Sequence, residues 1–378
     1  MKSEKKKIIM IGSLPPPYHG SNMYFHSLIN SRIKNEFSVS HLDISDHRDI
    51  NNLSKLDYTN VKTALTSIFN LKKLLKKIEP DIVYIPVSSN FLPYLRDGLF
   101  ILISSYFSNA KILIHLHEGS YFRNVFYNNS QGIVKKFIRY TLSKVDTAIV
   151  YSENLKRVFE GFVKNVTSFP NGMDFEISSD TSVKNENEFR YPVITFMGNL
   201  FETKGILDVI KAAVKVIAKY KDASFQIAGM WTDNERQTKS KALELIDKHK
   251  IRNNIVFNGV VTGNEKDKLF RETDIFIFPT FYPYEGCPLV IIEAMAYGIP
   301  VISTKDIGAI SEMVIHGETG FLTEKKAPEQ AADFIIRLAD DKEQRMRMGT
   351  AAKRKYENEF TLEKNLQNII NTFYKVLN

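Results

Sequence analysis

The chain of 378 residues contains one cysteine, Cys287, so it cannot form an internal disulfide framework, and a reducing cytosol fits this composition. It has no Cys/His cluster with the spacing of a metal site. It has no Gly-x-Gly-x-x-Gly and no Walker-type loop after its first apolar segment, where the turn reads Gly12-Ser13-Leu14-Pro15. We therefore disfavour a secreted disulfide-rich domain, a zinc protein and a nicotinamide enzyme, and we expect no cofactor.

Long hydrophobic runs are missing as well. The longest apolar stretch, residues 99–107, holds two serines and is too short to span a bilayer. The first, residues 8–11, is too short for a signal peptide before it meets Pro15. The length, a hydrophobic fraction of 43% and a charged fraction of 25% indicate a globular protein of two or three domains, which we expect in the cytoplasm.

The net charge of +8 lies entirely in the first half of the chain. Residues 1–178 hold 23 Lys and Arg against 15 Asp and Glu, whereas the remainder holds 28 of each. Basic residues are concentrated in segment 61–78 and again in 135–144, near Phe122, Phe126 and Tyr127. We predict a peripheral face for anionic lipid, with a core-packed helix and a solvated charged side as the alternative for segment 61–78. Nucleic acid is disfavoured because aromatic platforms and a motif context are missing.

Short apolar strands alternate with helical patterns twice along the chain, which predicts parallel sheets with helices on both faces. We expect an α/β protein of two doubly wound Rossmann-like domains facing a cleft. The polar segment 177–190 separates an N-terminal domain, 1–178, from a second domain, 191–360, and a C-terminal helix, 361–378, is expected to cross back. The predicted strands are 7–11, 38–43, 82–86, 111–115, 147–151, 193–197, 224–228, 255–257, 275–279 and 301–303. The predicted helices are 23–33, 61–78, 95–107, 133–142, 205–220, 235–249, 265–271, one after Pro288, and 362–377.

Segment 285–293 reads Glu-Gly-Cys-Pro-Leu-Val-Ile-Ile-Glu. Glu293 is the one acid on a helix that is otherwise apolar on every side, so it needs a polar partner. Gly286 frees the backbone ahead of this helix, and Pro288 suits its first position. A free helix N-terminus beside two acids predicts a site for a ligand with phosphate and hydroxyls. In the alternative, Glu285 is a solvated loop acid and Glu293 pairs with a structural lysine.

Three further segments at predicted strand ends carry polar residues: 17–22, 115–120 and 197–205. We expect His115 and His117 to face opposite sides of their strand, with His117 in the cleft and His115 in the core. Lys204 lies between a strand and a helix, where it suits phosphate, although an ordinary surface lysine would look the same. Trp231 follows a strand and is compatible with base stacking or with packing, while Cys287 suits a small packed position.

Together with segments 80–84, 170–174 and 254–322, these residues resemble the retaining glycosyltransferases of family 4, group 1 enzymes with the GT-B fold. The resemblance implies that the N-terminal domain binds the acceptor and the second domain binds a nucleotide-sugar. It implies that Glu293 accepts hydrogen bonds from the ribose hydroxyls, that Glu285 holds hydroxyls of the donor sugar, and that Lys204 neutralises the diphosphate. It implies catalytic roles for Glu285, His117 and Lys204. It implies donor contacts for Glu293, Asn199, Gly20, Gly286, Cys287, Leu289 and Val290.

Two positions depart from the family pattern. Asn199 stands where an arginine is usual, and His19 where a glycine is usual; an amide cannot replace a bidentate guanidinium. The resemblance implies front-face attack with retention, no required metal, and UDP- or GDP-sugar as donor. It also implies that the acceptor is a glycan or a lipid-linked sugar. The reaction would then belong to the assembly of a bacterial surface polysaccharide, either O-antigen or capsule. A GT-B sugar-nucleotide epimerase and a non-catalytic nucleotide-sugar-binding protein remain alternatives.

Overall fold

The computed structural model describes residues 5–16, 20–45, 58–175, 177 and 192–378. The chain divides into two compact units, unit 1 from Met1–Met173 with Leu362–Asn378, and unit 2 from Asp174–Thr361. His19 and all of segment 177–190 except Ile177 lie outside the described residues.

Unit 1 contains a parallel sheet with the strand order β2-β1-β3-β4-β5-β6. Its inner strands are buried almost throughout, as expected for a sheet covered on both faces. The edge strand β6, Asn-Val-Thr-Ser, was not predicted because it is short and polar. The strands are β1 Lys7–Gly12, β2 Ser38–Asp43, β3 Ile82–Val87, β4 Lys111–Leu116, β5 Thr147–Val150 and β6 Asn165–Ser168.

The helices of unit 1 follow the predicted pattern with one interruption. The helix expected over 23–33 is two helices, because Ser31 accepts a hydrogen bond from Ile33 N–H and donates one to Leu28 O, which replaces helix bonds. A π-helix, Phe122–Tyr127, and a 3-10 helix, Asn154–Val158, lie between the longer elements. The helices are α1 Gly20–Ile29, α2 Ile33–Glu36, α3 Tyr58–Ile78, α4 Phe91–Phe107, α5 Gly132–Leu142 and, from the end of the chain, α13 Leu362–Leu377.

Helix α13 is part of the unit 1 core. Its Leu366 and Phe373 are buried with Tyr24 of α1 and with side chains from the sheet. Asn365 accepts a hydrogen bond from the Tyr24 hydroxyl at 2.9 Å and donates one to Pro170 O at 2.7 Å. The last helix is therefore held in unit 1 by both apolar packing and a buried polar contact.

Unit 2 has a second parallel sheet, with the order β12-β11-β10-β7-β8-β9. The sheet grows in one direction from β7 to β9 and in the other from β10 to β12, so the order reverses between β7 and β10. The predicted elements are present with ends shifted by a few residues, and segment 304–360, left unassigned, adds three helices and a strand. The strands are β7 Val193–Met197, β8 Ser224–Ala228, β9 Ile255–Gly259, β10 Ile275–Phe278, β11 Val301–Thr304 and β12 Gly320–Thr323. The helices are α6 Ile206–Lys219, α7 Arg236–Lys248, α8 Gly263–Glu272, α9 Leu289–Ala296, α10 Ile310–Met313, α11 Pro328–Asp340 and α12 Lys342–Lys355.

No helix in the described part of the chain is long and apolar enough to cross a membrane.

Candidate functional site

The loops after β7 and β10 lie side by side where the strand order of unit 2 reverses. Ligands of doubly wound sheets bind beyond the carboxyl ends of the strands at such a point. The two loops are joined by a hydrogen bond of 2.8 Å from Phe281 N–H to Thr203 O. Gly205 has φ +88°, and a Cβ there would lie 2.3 Å from Pro279 O. A side chain at residue 205 would therefore separate the two loops.

Lys204 and Glu285 form an ion pair across this junction. Lys204 Nζ lies 2.7 Å from Glu285 Oε2, and the side chains are 15% and 8% exposed. Thr280 Oγ1 donates to the same carboxylate oxygen at 3.0 Å, and Lys204 Nζ also lies 4.5 Å from the centre of the Tyr282 ring. The alternatives of a solvated loop acid and an ordinary surface lysine are therefore wrong. A buried ion pair adds little net stability, so stability alone does not explain this one.

The first turn of α9 presents backbone N–H groups beside this pair. Pro288 is the N-cap, with φ −68° and ψ 115°, and the helix begins at Leu289. The prediction that Pro288 is the first helical residue therefore placed the start of the helix one residue too early. Its side chain caps nothing, and the first N–H groups of a helix have no acceptor within the helix. Leu289 and Val290, which carry such groups, are half-buried. The helix dipole makes this end favourable for an anion.

Gly286 and Cys287 hold the segment that leads into α9. Gly286 O accepts a hydrogen bond from Ala309 N–H at 2.7 Å, and a Cβ on Gly308 would lie 2.2 Å from that oxygen. The Cys287 sulfur is buried and lies 3.6 Å from Met313 Sδ. The cysteine side chain is thus a packed apolar group, so a ligand contact at this position would use the backbone.

Glu293, in the second turn of α9, is buried and paired with Lys266 of α8. Lys266 Nζ lies 2.7 Å from Glu293 Oε1, and the lysine side chain is 33% exposed. Burial raises the pKa of Glu293, and Lys266 partly offsets this effect. The structure contains the lysine pairing foreseen as the alternative, while the ribose role of Glu293 stays a prediction. Sequence reasoning missed Lys266 because a long-range partner leaves no local pattern.

Asn199 and Trp231 follow β7 and β8. Asn199 is exposed, and its carbonyl oxygen accepts a hydrogen bond from Phe201 N–H at 2.8 Å. The half-buried Trp231 ring lies 6.3 Å from the Phe257 ring, which is a packing contact. Base stacking by Trp231 stays a prediction.

The predicted residues of unit 1 lie at the carboxyl edge of its sheet. Gly20 begins α1, and His117 follows β4. His117 Nδ1 is hydrogen-bonded to the Tyr151 hydroxyl, and its ring lies 5.4 Å from the Tyr24 ring. In the described part of the chain no group of three or more His, Cys, Asp or Glu side chains could hold a metal ion.

The prediction that His115 and His117 face opposite sides was wrong. Their ring centres are 4.2 Å apart, because successive side chains alternate along a strand and residues two apart share a face. His115 is completely buried, with Nδ1 at 2.6 Å from the Tyr84 hydroxyl, and burial lowers its pKa well below the ordinary value. His115 is therefore a neutral core residue, as expected for one of the pair.

Residues 178–355, nearly all of unit 2, match the family described as Glycosyl transferases group 1. This chain carries a group 1 glycosyltransferase domain. It is 27% identical to the capsular polysaccharide biosynthesis glycosyltransferase CapM of Staphylococcus aureus, over 74% of this chain and 75% of that protein. It is 25% identical to the UDP-Gal:alpha-D-GlcNAc-diphosphoundecaprenol alpha-1,3-galactosyltransferase of Escherichia coli, over 81% and 78%.

The fold of the chain is GT-B, as predicted. The sucrose-phosphate synthase of Thermosynechococcus elongatus superposes with a TM-score of 0.74 over 98% of this chain and 99% of its own, at 16% identity. The match of residues 178–355 confirms the predicted resemblance to group 1 glycosyltransferases for that segment, whereas assignment to family 4 within the group stays a prediction.

A polar row at the carboxyl edge of unit 1 joins Glu118, from segment 115–120, to two serines that were missed from the sequence. Ser89, Glu118 and Ser152 are each the second residue after β3, β4 and β5. Their buried oxygens, the two hydroxyls and Glu118 Oε2, make no hydrogen bond of ordinary geometry. Burial raises the pKa of Glu118 to about 7, and nearby Ser89 partly offsets this rise. Unit 1 therefore carries an acid with an unpaired buried oxygen at the carboxyl edge of its sheet, which the family resemblance does not assign.

Proposed function

We propose that this protein is a retaining glycosyltransferase that moves a sugar from a UDP- or GDP-sugar to a glycan or lipid-linked acceptor. Unit 2 would bind the donor and unit 1 the acceptor. The reaction would belong to bacterial surface polysaccharide assembly, of O-antigen or capsule, in the cytoplasm at the inner face of the plasma membrane.

The observation that carries the proposal is the Lys204–Glu285 pair at the reversal point of unit 2, beside the uncapped start of α9. A nucleotide-sugar carries hydroxyls and a diphosphate, so it needs acceptors and cationic donors side by side. In the proposed complex Lys204 and the α9 N–H groups neutralise the diphosphate, while Glu285 accepts hydrogen bonds from the sugar.

The same arrangement suits departure of the nucleoside diphosphate. Positive charge develops on the anomeric carbon as negative charge develops on the leaving phosphate, and donors fixed beforehand stabilise that separation. The Glu285 carboxylate, which accepts a hydrogen bond from Thr280, holds the lysine in place before substrate binds. In the proposed front-face reaction the leaving phosphate accepts the proton of the acceptor hydroxyl, and the product keeps the anomeric configuration.

The names of two relatives guide the choice of substrates. One uses UDP-Gal and a diphosphoundecaprenol-linked acceptor, and the other acts in capsular polysaccharide biosynthesis. UDP-sugars and undecaprenyl-diphosphate-linked sugars are therefore the first compounds to test.

The experiment is a thermal-shift screen of the full chain against UDP, GDP, ADP and their sugars, because a ligand that binds the native state raises the Tm. We expect one nucleotide to stabilise the protein and Lys204→Met to abolish that shift. NMR of the product formed with the binding donor then gives its anomeric configuration. A Tm unchanged by every nucleotide would contradict donor binding, and an inverted product would contradict retention.

A further inference from the structure

Three helices on one side of unit 1 carry an unusual concentration of exposed apolar side chains. Helix α4 packs between α3 and α5. Of the nineteen large apolar or aromatic side chains that are exposed in the described residues, eleven lie on these helices. Tyr58 is 81% exposed, Leu65 62%, Phe69 58% and Ile133 79%. A patch of this kind on a protein surface marks an interaction site.

The charge on the same helices has one sign. Helices α3, α4 and α5 contain nine Lys and Arg residues and one acid, Asp97. Asp97 is completely buried and bonded to Arg96 at 2.8 Å and to Ser88 N–H at 2.9 Å. No helix of this layer therefore presents an exposed carboxylate. A second copy would bring like charges together, whereas an anionic surface complements them.

Lysines and aromatic rings lie against each other along this layer. Lys72 Nζ lies 4.1 Å from the centre of the Phe107 ring, which joins α3 to α4, and Lys73 Nζ lies 4.4 Å from the Phe69 ring. The hydroxyls of Tyr106 and Tyr140 are hydrogen-bonded, which joins α4 to α5. Lys144 Nζ lies 5.2 Å from the Tyr140 ring. The result is one continuous surface of cations and rings, which we call the α3–α5 face.

The structure changes which aromatic residues belong to this face. Phe122 is completely buried and Phe126 is 9% exposed, so the sequence prediction that they contribute was wrong. They belong to the π-helix, where they pack on Tyr94. In α3, by contrast, Leu65 points to solvent, where a core-packed helix would bury it.

We propose that the α3–α5 face binds the surface of a membrane containing anionic lipid, with its aromatic and aliphatic side chains in the interfacial region and its lysines at the headgroups. Apolar burial and attraction to anionic lipid together give stable interfacial binding. The inference rests on the proposed function, since a lipid-linked acceptor would bring the enzyme to the bilayer.

The first test is flotation of the full chain with vesicles of phosphatidylcholine alone or with about one third phosphatidylglycerol. The wild-type protein floats with the anionic vesicles and is released by high salt, because salt screens surface charge. The double variant Lys73→Glu with Lys76→Glu lowers the partition coefficient at least about tenfold, since each surface lysine accounts for about fivefold. The double variant Leu65→Glu with Phe69→Glu lowers it at least about tenfold as well, because it replaces two inserted apolar side chains with acids. Met346→Glu, at a 52% exposed apolar position of unit 2, is the matched control and binds as wild type.

The second test locates the inserted surface. Trp231 of unit 2 is the only tryptophan of the chain, so Phe69→Trp adds a reporter to the α3–α5 face. Brominated anionic vesicles quench the added tryptophan, while wild-type fluorescence from Trp231 stays unchanged.

Three outcomes overturn the proposal. The first is wild-type protein that does not float with anionic vesicles, and the second is acidic variants that bind these vesicles as strongly as wild type. The third is duplex DNA that binds the α3–α5 face when vesicles do not. The flotation test contains no nucleotide-sugar and the thermal-shift screen contains no vesicles, so the two results are independent. Absence of vesicle binding would contradict this inference alone, whereas absence of a nucleotide thermal shift would contradict the proposed donor binding alone.

Discussion

Lys204 and Glu285 satisfy each other's charge before any ligand is present. Removing one partner therefore has two consequences. A contact with substrate is lost, and the remaining partner is left as an unpaired charge in a largely buried position. The two consequences are separable because a ligand contact changes kinetics, whereas an unpaired charge changes stability.

Glu285→Gln keeps the size of the side chain and removes its charge. We expect kcat to fall about 100-fold or more, the usual loss when one preorganised electrostatic contact is removed. Donor affinity should change little, because Lys204 remains free to meet the diphosphate. Glu318→Gln, an exposed acid of the same unit, is the control. Steady-state kinetics with a Tm measurement check this, and a wild-type kcat would exclude Glu285 from the site.

Asn199→Arg restores the residue that the family usually has after this strand. Since Asn199 is exposed, the longer side chain can be accommodated without repacking. We expect an increase in kcat with little change in stability, because a guanidinium adds a bidentate contact to the leaving phosphate. Activity rising from near zero would instead favour a protein that has lost turnover.

Glu118 makes the stability of unit 1 depend on pH. Its pKa is about 7 in the folded protein against an ordinary 4.5, so the native state keeps the proton up to a higher pH than the unfolded chain does. The free energy of unfolding therefore falls as pH rises between these two values. Glu118→Gln should be more stable than wild type by up to about 3 kcal/mol above pH 7, with the difference vanishing near pH 4. Urea unfolding across this range checks it, with Glu160→Gln as the exposed control; a pH-independent difference would contradict a titrating carboxyl.

Among the helices and loops, the start of α9 and the β7 loop depend on backbone positions more than on side chains. The residues that matter there are Gly205, Gly308 and Pro288, because close backbone approaches leave no room for a Cβ or fix the entry to the helix. These approaches connect elements far apart in the chain. The strand and helix patterns were readable from local periodicity, but such approaches were not.

Gly205→Ala tests the junction of the β7 and β10 loops. Both Gly205 and Gly317 have left-handed backbone, with φ +88° and +83°, but a Cβ on Gly317 would meet nothing within 4 Å. Each alanine should therefore cost about 1–2 kcal/mol for the backbone conformation. Gly205→Ala should cost about 1–3 kcal/mol more, because its Cβ overlaps Pro279 O. Denaturant unfolding of the two variants gives the difference directly, and equal losses would argue against the close approach.

Glu293→Gln tests whether the buried acid of α9 binds the nucleotide in addition to its pairing with Lys266. We expect nucleotide affinity to fall about tenfold, as expected for a hydrogen bond to a charged group, since an amide is a weaker acceptor for ribose hydroxyls. Glu265→Gln in α8 is the exposed control. Calorimetric titration with the nucleotide from the screen checks this, and unchanged affinity would leave Glu293 with only its lysine pairing.

Across the chain, the sequence allowed the prediction of two Rossmann-like domains and of the segments at their strand ends. It did not allow the prediction of Lys266 opposite Glu293, because pairing across two helices leaves no local pattern. The exposure of Leu65 was also hidden, since an apolar stripe looks the same whether it meets a core or a membrane. The error at His115 and His117 had a different origin, because the period of a strand already places them on one face.

The last helix gives a prediction for the chain as a whole. Phe373 of α13 is completely buried in unit 1, whereas its neighbour Tyr374 is 41% exposed. Phe373→Ala should destabilise the protein by about 3–5 kcal/mol, and Tyr374→Ala by much less. Limited proteolysis of the first variant should cut unit 1 first, and preferential cutting of unit 2 would contradict this assignment of α13.

Unit 1 takes its residues from both sides of unit 2. During synthesis, the ribosome must therefore complete all of unit 2 before α13 can cover the core that contains Tyr24 and Phe37. Until then, the nascent first unit exposes apolar surface that a chaperone could recognise, while unit 2, which is continuous, can already fold. The order in which the two units can complete their folding is thus the reverse of the order in which they begin along the chain.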